Sequence, residues 1–194
     1  MFRLTRVANA RRERILAAGR SAPTSCPELL TLADGPLGGA PKGFAHDILR
    51  SHIGHGQSAF AAARDAFQEW KQFGLGWVSV ADPLAAIAPG ETVAIEVRAG
   101  GLWSINFNRI IDFVDTPTRF GFLYATTALH VEQGQERFVI EFDPRRESVS
   151  YLIEAISRPR HVLARIAHPF SRAMQRRFAR DSHARMHDTV SSRA

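Results

Sequence analysis

Apolar positions recur with a period of two through much of the middle of the chain, which predicts strands with one buried face. In residues 119–142 two such runs occur: Phe120, Phe122 and Tyr124, then Phe138, Ile140 and Phe142. Polar and titratable residues separate the two runs. The segment therefore predicts a hairpin of two strands whose faces are rich in aromatic rings.

The same pattern predicts further strands at residues 44–53, 77–80, 92–98, 103–114 and 149–156. Short turns, such as Gly100-Gly101, connect several of them. The prediction is a mostly antiparallel sheet of about six strands. In strand 103–114 one face is predicted to carry Trp103, Ile105, Phe107, Arg109, Ile111 and Phe113.

Helical spacing of apolar residues appears in three places. Residues 5–18 and 59–73 predict two helices, the second with Ser58 as its N-cap and an aromatic stripe typical of a core-facing helix. A third helix of about 25 residues is predicted from Arg160, with Pro169 bending or splitting it. Its apolar stripe, predicted to face the sheet, is Leu163, Ile166, Phe170, Met174 and Phe178.

The length of 194 residues and the 45% apolar content predict one domain with a sizeable core. Residues 1–43 are predicted to form an N-terminal helix and a Pro/Gly-rich segment that wraps the domain. Residues 44–188 form the domain itself, and residues 189–194 a frayed tail. Because Cys26 is the single cysteine, no internal disulfide is expected, and a cytoplasmic location fits best.

Charge is distributed unevenly along the chain. Residues 1–20 carry six arginines against Glu13, and residues 158–194 carry nine against two aspartates, whereas residues 21–157 hold ten basic and sixteen acidic residues. We expect the basic ends to dock on the acidic body. Nucleic acid is a disfavoured partner, while peripheral contact of the arginine face of the last helix with an anionic membrane is kept as an alternative.

A strand, a helix, a run of antiparallel strands and a long C-terminal helix form the order of the helix-grip architecture. Four segments, in this order, also resemble the DUF1990 family: IGHGQSAFAAARDAFQEWKQFGLGWV, NRIIDFV, FGFLYATTALHVEQGQERFVIE and EAISRP. The resemblance covers about residues 20–180. It implies an α+β, START-like fold in which a curved sheet wraps around the last helix and leaves a cavity. START-like proteins bind lipids, sterols or polyketides, and some are cyclases or hydrolases, but the resemblance implies a cavity and no particular reaction.

The predicted function is the binding of a small apolar or amphipathic ligand in that cavity. The predicted ligand-binding residues are Phe107, Arg109, Phe122, Tyr124, His130 and Phe138. Arg109 is the odd member of an apolar face, so it would need a carboxylate from the ligand or from the protein. An enzyme on the same scaffold is the alternative, with His130 as acid or base and Glu132, two residues on, sharing its proton.

Other site chemistry has little support in the sequence. The eight histidines form no pair in a recognised metal-ligand pattern, and no phosphate-binding or nucleophile-elbow motif occurs. No metal and no cofactor are therefore expected. The oligomeric state is left open.

Overall fold

One antiparallel sheet dominates the computed structural model, which describes residues 2–3, 9–32, 40–130, 132–160 and 168–194. Its eight strands in these residues are β1 (Phe2–Arg3), β2 (Ala45–His55), β3 (Val78–Val80), β4 (Thr92–Ala99), β5 (Leu102–Thr116), β6 (Arg119–Thr126), β7 (Glu132–Asp143) and β8 (Ser148–Pro159). Their order across the sheet is β2-β8-β7-β6-β5-β4-β3, with β1 paired to β5. The predicted antiparallel sheet is confirmed, with more strands than the six expected.

The helices are α1 (Asn9–Ser21), α2 (Gly56–Gln68) and α3 (His168–Ser191), and a 3-10 turn spans Lys71–Phe73. Helix α2 follows β2 without a linker because Gly56 adopts a φ of 80°, which a residue with a Cβ rarely tolerates. The N-cap is His55, so the prediction of Ser58 as N-cap is three residues late. The predicted helical residues 5–8 and 161–167 lie outside the described residues.

Helix α2 and the end of α3 pack on the concave face of the curved sheet. The ring of Phe67 meets Tyr151 edge-on, with 5.4 Å between centroids, and Trp70 meets Phe122 in the same way at 5.4 Å. Such edge-to-face pairs add to the burial of apolar area. The aromatic stripe of α2 thus belongs to the core, and the predicted helix-grip fold is confirmed.

Helix α3 enters the core through its C-terminal half. Met186 and Val190 are fully buried, whereas Phe170 is 56% exposed. The prediction that Phe170 faces the sheet is wrong, and Leu163 and Ile166 lie outside the described residues. Because Val190 is buried and α3 reaches Ser191, the predicted frayed tail also begins too early.

The spacing of apolar residues does not identify the buried face of α3, because two of its buried positions are polar. Ser182 is fully buried and hydrogen-bonds the hydroxyl of Tyr151 at 2.9 Å. His183 is also buried, and its ring stacks on Tyr151 with 4.4 Å between centroids. Polar side chains that are hydrogen-bonded can occupy core positions, and the helical spacing of apolar residues does not detect them.

The convex face carries α1 and the segment that follows it. Strand β5 has a register shift between Ile110 and Asp112, the signature of a β-bulge. Before the shift Phe107 points to the convex side and packs with Leu16 of α1, whereas after it Phe113 joins the concave core. The prediction that Phe107 and Phe113 share one face is wrong for this reason.

Arg109 lies on the convex face beside Phe107. Its Nη2 donates to the carbonyl oxygens of Arg20 and Ala22 at 2.7 and 3.0 Å, at the end of α1. These carbonyls have no helical partner, so a cation there is favourable. Arg109 therefore holds α1 in place, and the prediction that it lines the cavity is wrong.

Candidate functional site

The concave face has a second region, which is polar and faces the N-terminal half of α3. We call it the polar end. Its side chains are Asp47 of β2, Asn106 and Asn108 of β5, Tyr124 of β6, Glu132 and Glu136 of β7, Ser157 of β8, and Ser171, Arg172 and Gln175 of α3. Most are only half-buried, in contrast to the aromatic core beside them.

Tyr124 and Glu136 form the centre of the polar end. They lie directly opposite each other on β6 and β7, and the Tyr124 hydroxyl donates to Oε2 of Glu136. Desolvation raises the pKa of the Glu136 carboxyl to about 7, and the carboxylates of Glu132 and Asp47 add to this rise. Burial also raises the pKa of Tyr124 well above its usual value, so its hydroxyl keeps its proton.

Glu132 connects the sheet to α3. The Ser171 hydroxyl donates to Oε1 of Glu132, and Nε2 of Gln175 donates to Oε2 at 2.6 Å. The same amide nitrogen lies 3.2 Å from the Ser157 hydroxyl on β8. These contacts satisfy the Glu132 carboxylate and fix the distance between α3 and the sheet.

Arg172 closes the polar end on the side of β2. Its Nη2 donates to Oδ1 of Asp47 at 2.5 Å, and its Nη1 donates to Oδ2. This two-bond pair raises the pKa of Arg172. The guanidinium is thereby committed to Asp47.

His130 lies at the mouth of the β6–β7 hairpin and is half-buried. Its Nδ1 accepts the backbone amide hydrogen of Glu132 at 2.9 Å. Desolvation lowers the pKa of His130 to about 4, so the ring is neutral at pH 7. The predicted proton shared with the Glu132 side chain is not found, because that carboxylate bonds α3 instead.

Asn108 is the least satisfied side chain of the polar end. It is 2% exposed, and its Oδ1 has no hydrogen-bond donor among the described residues. The Oδ1 of Asn106, two residues earlier on the same face, is also buried without a donor in the described part of the chain. Unsatisfied buried acceptors are costly and call for a physical reason, such as a partner that is bound in function.

The structure brings together three of the six predicted ligand-binding residues. Phe122 and Phe138 stack in the concave core with 5.1 Å between centroids, and Tyr124 lies beside Phe138 at 5.4 Å. The sequence analysis missed Glu136 and the two asparagines as site residues. The sequence does carry a signal for Glu136, because Glu136 occupies the same strand face as Phe138 and Ile140, where a polar residue is unexpected.

Two further features of the described residues bear on function. They include no group of three or more His, Cys, Asp or Glu side chains arranged to hold a metal ion. None of their helices has the length and apolar character that crossing a membrane requires.

Comparison with solved structures shows the fold. The di-domain ARO/CYC BexL from the BE-7585A biosynthetic pathway aligns over 79% of this chain and 52% of its own, with 14% identity and a TM-score of 0.56. The protein TTHA0849 from Thermus thermophilus aligns over 76% of this chain and 98% of its own, with 9% identity and a TM-score of 0.50. At these identities the likeness concerns the fold alone.

Comparison with other sequences shows the family. A UPF0548 protein of Dictyostelium discoideum is 35% identical over 160 residues, which cover 77% of this chain and 74% of that protein. A UPF0548 protein of Arabidopsis thaliana is 31% identical over 147 residues, which cover 72% and 70%. The model of the domain of unknown function DUF1990 matches residues 31–185. The resemblance drawn from the sequence is thus confirmed, and the chain belongs to the DUF1990 family.

Proposed function

We propose that this protein binds a small amphipathic molecule between the concave face of the sheet and α3, with the polar part of the molecule at the polar end. The function predicted from the sequence is kept, but its site residues change. Glu136 and Asn108 join the predicted Tyr124 as the groups that orient the ligand, and Arg109 is removed from them.

The observation that carries the proposal is the partial exposure of Glu136. Phe138, the next residue of β7 on the same face, is fully buried. Tyr124, which lies opposite Glu136 on β6, is nearly fully buried. Yet Glu136 and its other cross-strand neighbour, Ala155, are only half-buried. Accessible surface at the middle of a concave face supports a space beside these residues that a ligand can enter.

An apolar wall adjoins this space. The half-buried ring of Phe178 on α3 lies 6.2 Å from Phe138, edge to face, and stacks on Phe73 at 5.4 Å. Met174, one turn earlier on α3, is half-buried on the side of Ser171 and Gln175. The ligand's apolar part would contact these rings and Met174, while its polar part meets Tyr124 and Glu136.

Nile red, an uncharged apolar dye, tests the proposal. We expect saturable, one-to-one binding with a blue shift of the dye's emission. Met174→Trp fills the space from the side of α3 and should raise the Kd about tenfold or more, a loss of about 1.4 kcal/mol in binding. The matched control is Arg176→Trp, at an exposed position of the same helix.

A second variant keeps the test decisive if Met174→Trp does not fold. Ala155→Phe fills the same space from the sheet. Unchanged Nile red affinity in a folded variant of either kind, or equal loss in Arg176→Trp, would overturn the proposal.

One observation favours an enzyme as the second candidate. A carboxyl group whose pKa lies near 7, bonded to a tyrosine hydroxyl in a concave site, has the properties of a general acid. Glu136 would then take the role first given to His130. A co-purified small molecule whose mass changes during incubation with the wild type, but not with Glu136→Gln, would support catalysis.

Cys26 has no place in either candidate. Its thiol donates to the Gly134 carbonyl at 3.0 Å, and burial raises its pKa, so it is a poor nucleophile. A single thiol held in this way supports the cytoplasmic location proposed from the sequence.

A further inference from the structure

The polar end is rich in negative charge. Three carboxylates face it, those of Asp47, Glu132 and Glu136, against one guanidinium among the described residues, that of Arg172. Both terminal nitrogens of Arg172 donate to Asp47, and Nη1 also donates to Oε1 of Gln175 at 3.0 Å. After that pairing, two carboxyl groups remain without a cation from the described part of the chain.

The polar end is also short of hydrogen-bond donors. The Tyr124 hydroxyl proton is directed to Glu136, and the donors of Ser171 and Gln175 are directed to Glu132. The acceptors are in excess, because the buried Oδ1 atoms of Asn106 and Asn108 have no donor in the described residues. A ligand that enters this site has to supply donors.

The two groups of acceptors lie close enough to serve one ligand. Asn108 lies opposite Thr126 on β6, two residues along the strand from Tyr124, and Tyr124 lies opposite Glu136. Since neighbouring strands are about 4.8 Å apart and each residue rises about 3.4 Å along a strand, the Cα atoms of Asn108 on β5 and Glu136 on β7 are separated by about 12 Å. A ligand whose ammonium group and second N–H group are several bonds apart spans that distance.

We propose that the polar part of the ligand is an amine carried as an ammonium ion, which donates to the Glu136 carboxylate, and that a second N–H group of the ligand donates to the Oδ1 atom of Asn108. This inference rests on the proposed ligand-binding function and names the class of its ligand. An ammonium ion has three donors and no acceptor, which matches the excess acceptors of the site. It also supplies the positive charge that the carboxylates lack.

A carboxylate ligand fits the site poorly. Its oxygens would lie near Glu132 and Glu136 and would find few free donors, so it would lose its hydration without compensation. The expectation from the sequence, that Arg109 receives a carboxylate, is removed by the position of that arginine on the convex face. An alcohol should bind with intermediate affinity, because its hydroxyl brings one hydrogen-bond donor and no charge.

Competition with Nile red separates these ligand classes. Decylamine, decanol and decanoate share one apolar chain and differ in their head group. We expect decylamine to displace Nile red at a concentration at least about tenfold lower than either of the others, as expected for a charge-assisted hydrogen bond. Equal or stronger displacement by decanoate would overturn the inference.

The preference should depend on Glu136 and on pH. The groups that face Glu136 are Tyr124 of β6, Glu132 of β7, Asp47 of β2 and Tyr151 of β8, and Arg172 of α3 acts on Asp47 and Glu132 beside it. The Glu136 carboxyl ionises near pH 7, and an alkylamine keeps its proton to about pH 10, like lysine. Decylamine affinity should therefore rise about tenfold from pH 6 to pH 8, as the ionised fraction of Glu136 does, while decanol affinity stays level.

Glu136→Gln should abolish both the preference for decylamine over decanol and its pH dependence. The matched control is Glu141→Gln, on the same strand but the opposite face, where Glu141 pairs with Arg119 at 3.2 Å. This control should behave like the wild type. A preference that persists in Glu136→Gln, or that is lost equally in Glu141→Gln, contradicts the inference, whereas absence of any Nile red binding contradicts the proposed function itself.

Discussion

Arg137 and Glu154 form an ion pair that is buried on the convex face of the sheet. The two residues are 4% and 1% exposed, and Nε of Arg137 lies 2.6 Å from Oε2 of Glu154. Glu154 also bonds His46 of β2 at 2.7 Å, and Arg137 donates to the Thr31 carbonyl at 2.7 Å. The pair therefore connects three strands to the segment after α1.

Removing one partner of this pair should destabilise the protein strongly. We expect Arg137→Met to lower the free energy of unfolding by about 3–5 kcal/mol, because Glu154 would keep a buried charge without its partner. Urea denaturation measures the loss, with the exposed Arg145→Met as control. The double variant Arg137→Met/Glu154→Leu should recover much of it, and a double variant as unstable as the single one would contradict this explanation.

Truncating two side chains of α3 should have very different effects on the free energy of unfolding. Phe170→Ala should change the free energy of unfolding by less than about 0.5 kcal/mol, since the ring is exposed. Met186→Ala should cost about 2–5 kcal/mol, because that side chain is fully buried. Thermal or urea unfolding compares the two, and a large loss in Phe170→Ala would place the N-terminal half of α3 in the core.

Arg109→Leu should weaken the docking of α1 and leave the ligand site intact. We expect a loss of about 1.5–3 kcal/mol, typical of hydrogen bonds to a charged group, and faster proteolysis near Arg20. Nile red affinity should equal that of the wild type. Lost dye binding in a folded Arg109→Leu protein would restore the original assignment of Arg109 to the cavity.

Glu136 should make the stability of the protein depend on pH. The folded-state pKa of about 7 lies above the unfolded value, so between about pH 4.5 and 7 the folded state binds more protons than the unfolded one. Stability contributed by this group is present at low pH and is lost as the pH rises through 7. His130, with its pKa lowered to about 4, acts in the opposite direction.

Comparing the wild type with Glu136→Gln isolates the glutamate, because the histidines are common to both. We expect Glu136→Gln to raise the Tm at pH 8 and to leave it nearly unchanged at pH 5. Glutamine retains an acceptor for the Tyr124 hydroxyl. An equal Tm difference at the two pH values would show that Glu136 titrates normally.

The arginines of α3 should contribute little to binding anionic surfaces. Arg177 lies 3.3 Å from Asp181 and covers the ring of Trp77, and Arg185 donates to the Gly74 carbonyl at 3.0 Å. Co-sedimentation with phosphatidylserine vesicles at about 0.15 M salt should therefore recover little protein. Strong, salt-sensitive recovery would favour the anionic-membrane alternative.

The spacing of apolar residues predicted the helices and strands well, because apolar and polar residues alternate regularly in most strands and α2 has a continuous apolar stripe. They failed where one residue changes the register. The extra residue in β5 turns Phe113 to the concave side and leaves Phe107 and Arg109 on the convex side. A bulge has no marker in this sequence, since Ile110 and Ile111 are both apolar.

The candidate site was predicted only in part for a related reason. The sequence predicts Tyr124 as a site residue because Tyr124 continues an aromatic run. Glu136 is part of the polar connection in the sequence pattern, although in the structure its side chain lies on the same face of β7 as Phe138. Polar groups in a site are recognised by what surrounds them in three dimensions. For Asn108, the informative property is an acceptor without a donor, and only the fold reveals it.

The two ends of the strand order, β2 and β3, have a consequence for association between copies. Strand β3 has three residues, Val78–Val80, and offers few backbone groups to an incoming strand. Strand β2 has eleven, but its register shifts between His52 and Gly54, and it carries the exposed Arg50, which pairs with Glu141 of β7. A short strand, an irregular backbone and an exposed charge each oppose edge-to-edge pairing. The sheet is thus protected at both edges against the strand addition that leads to aggregation.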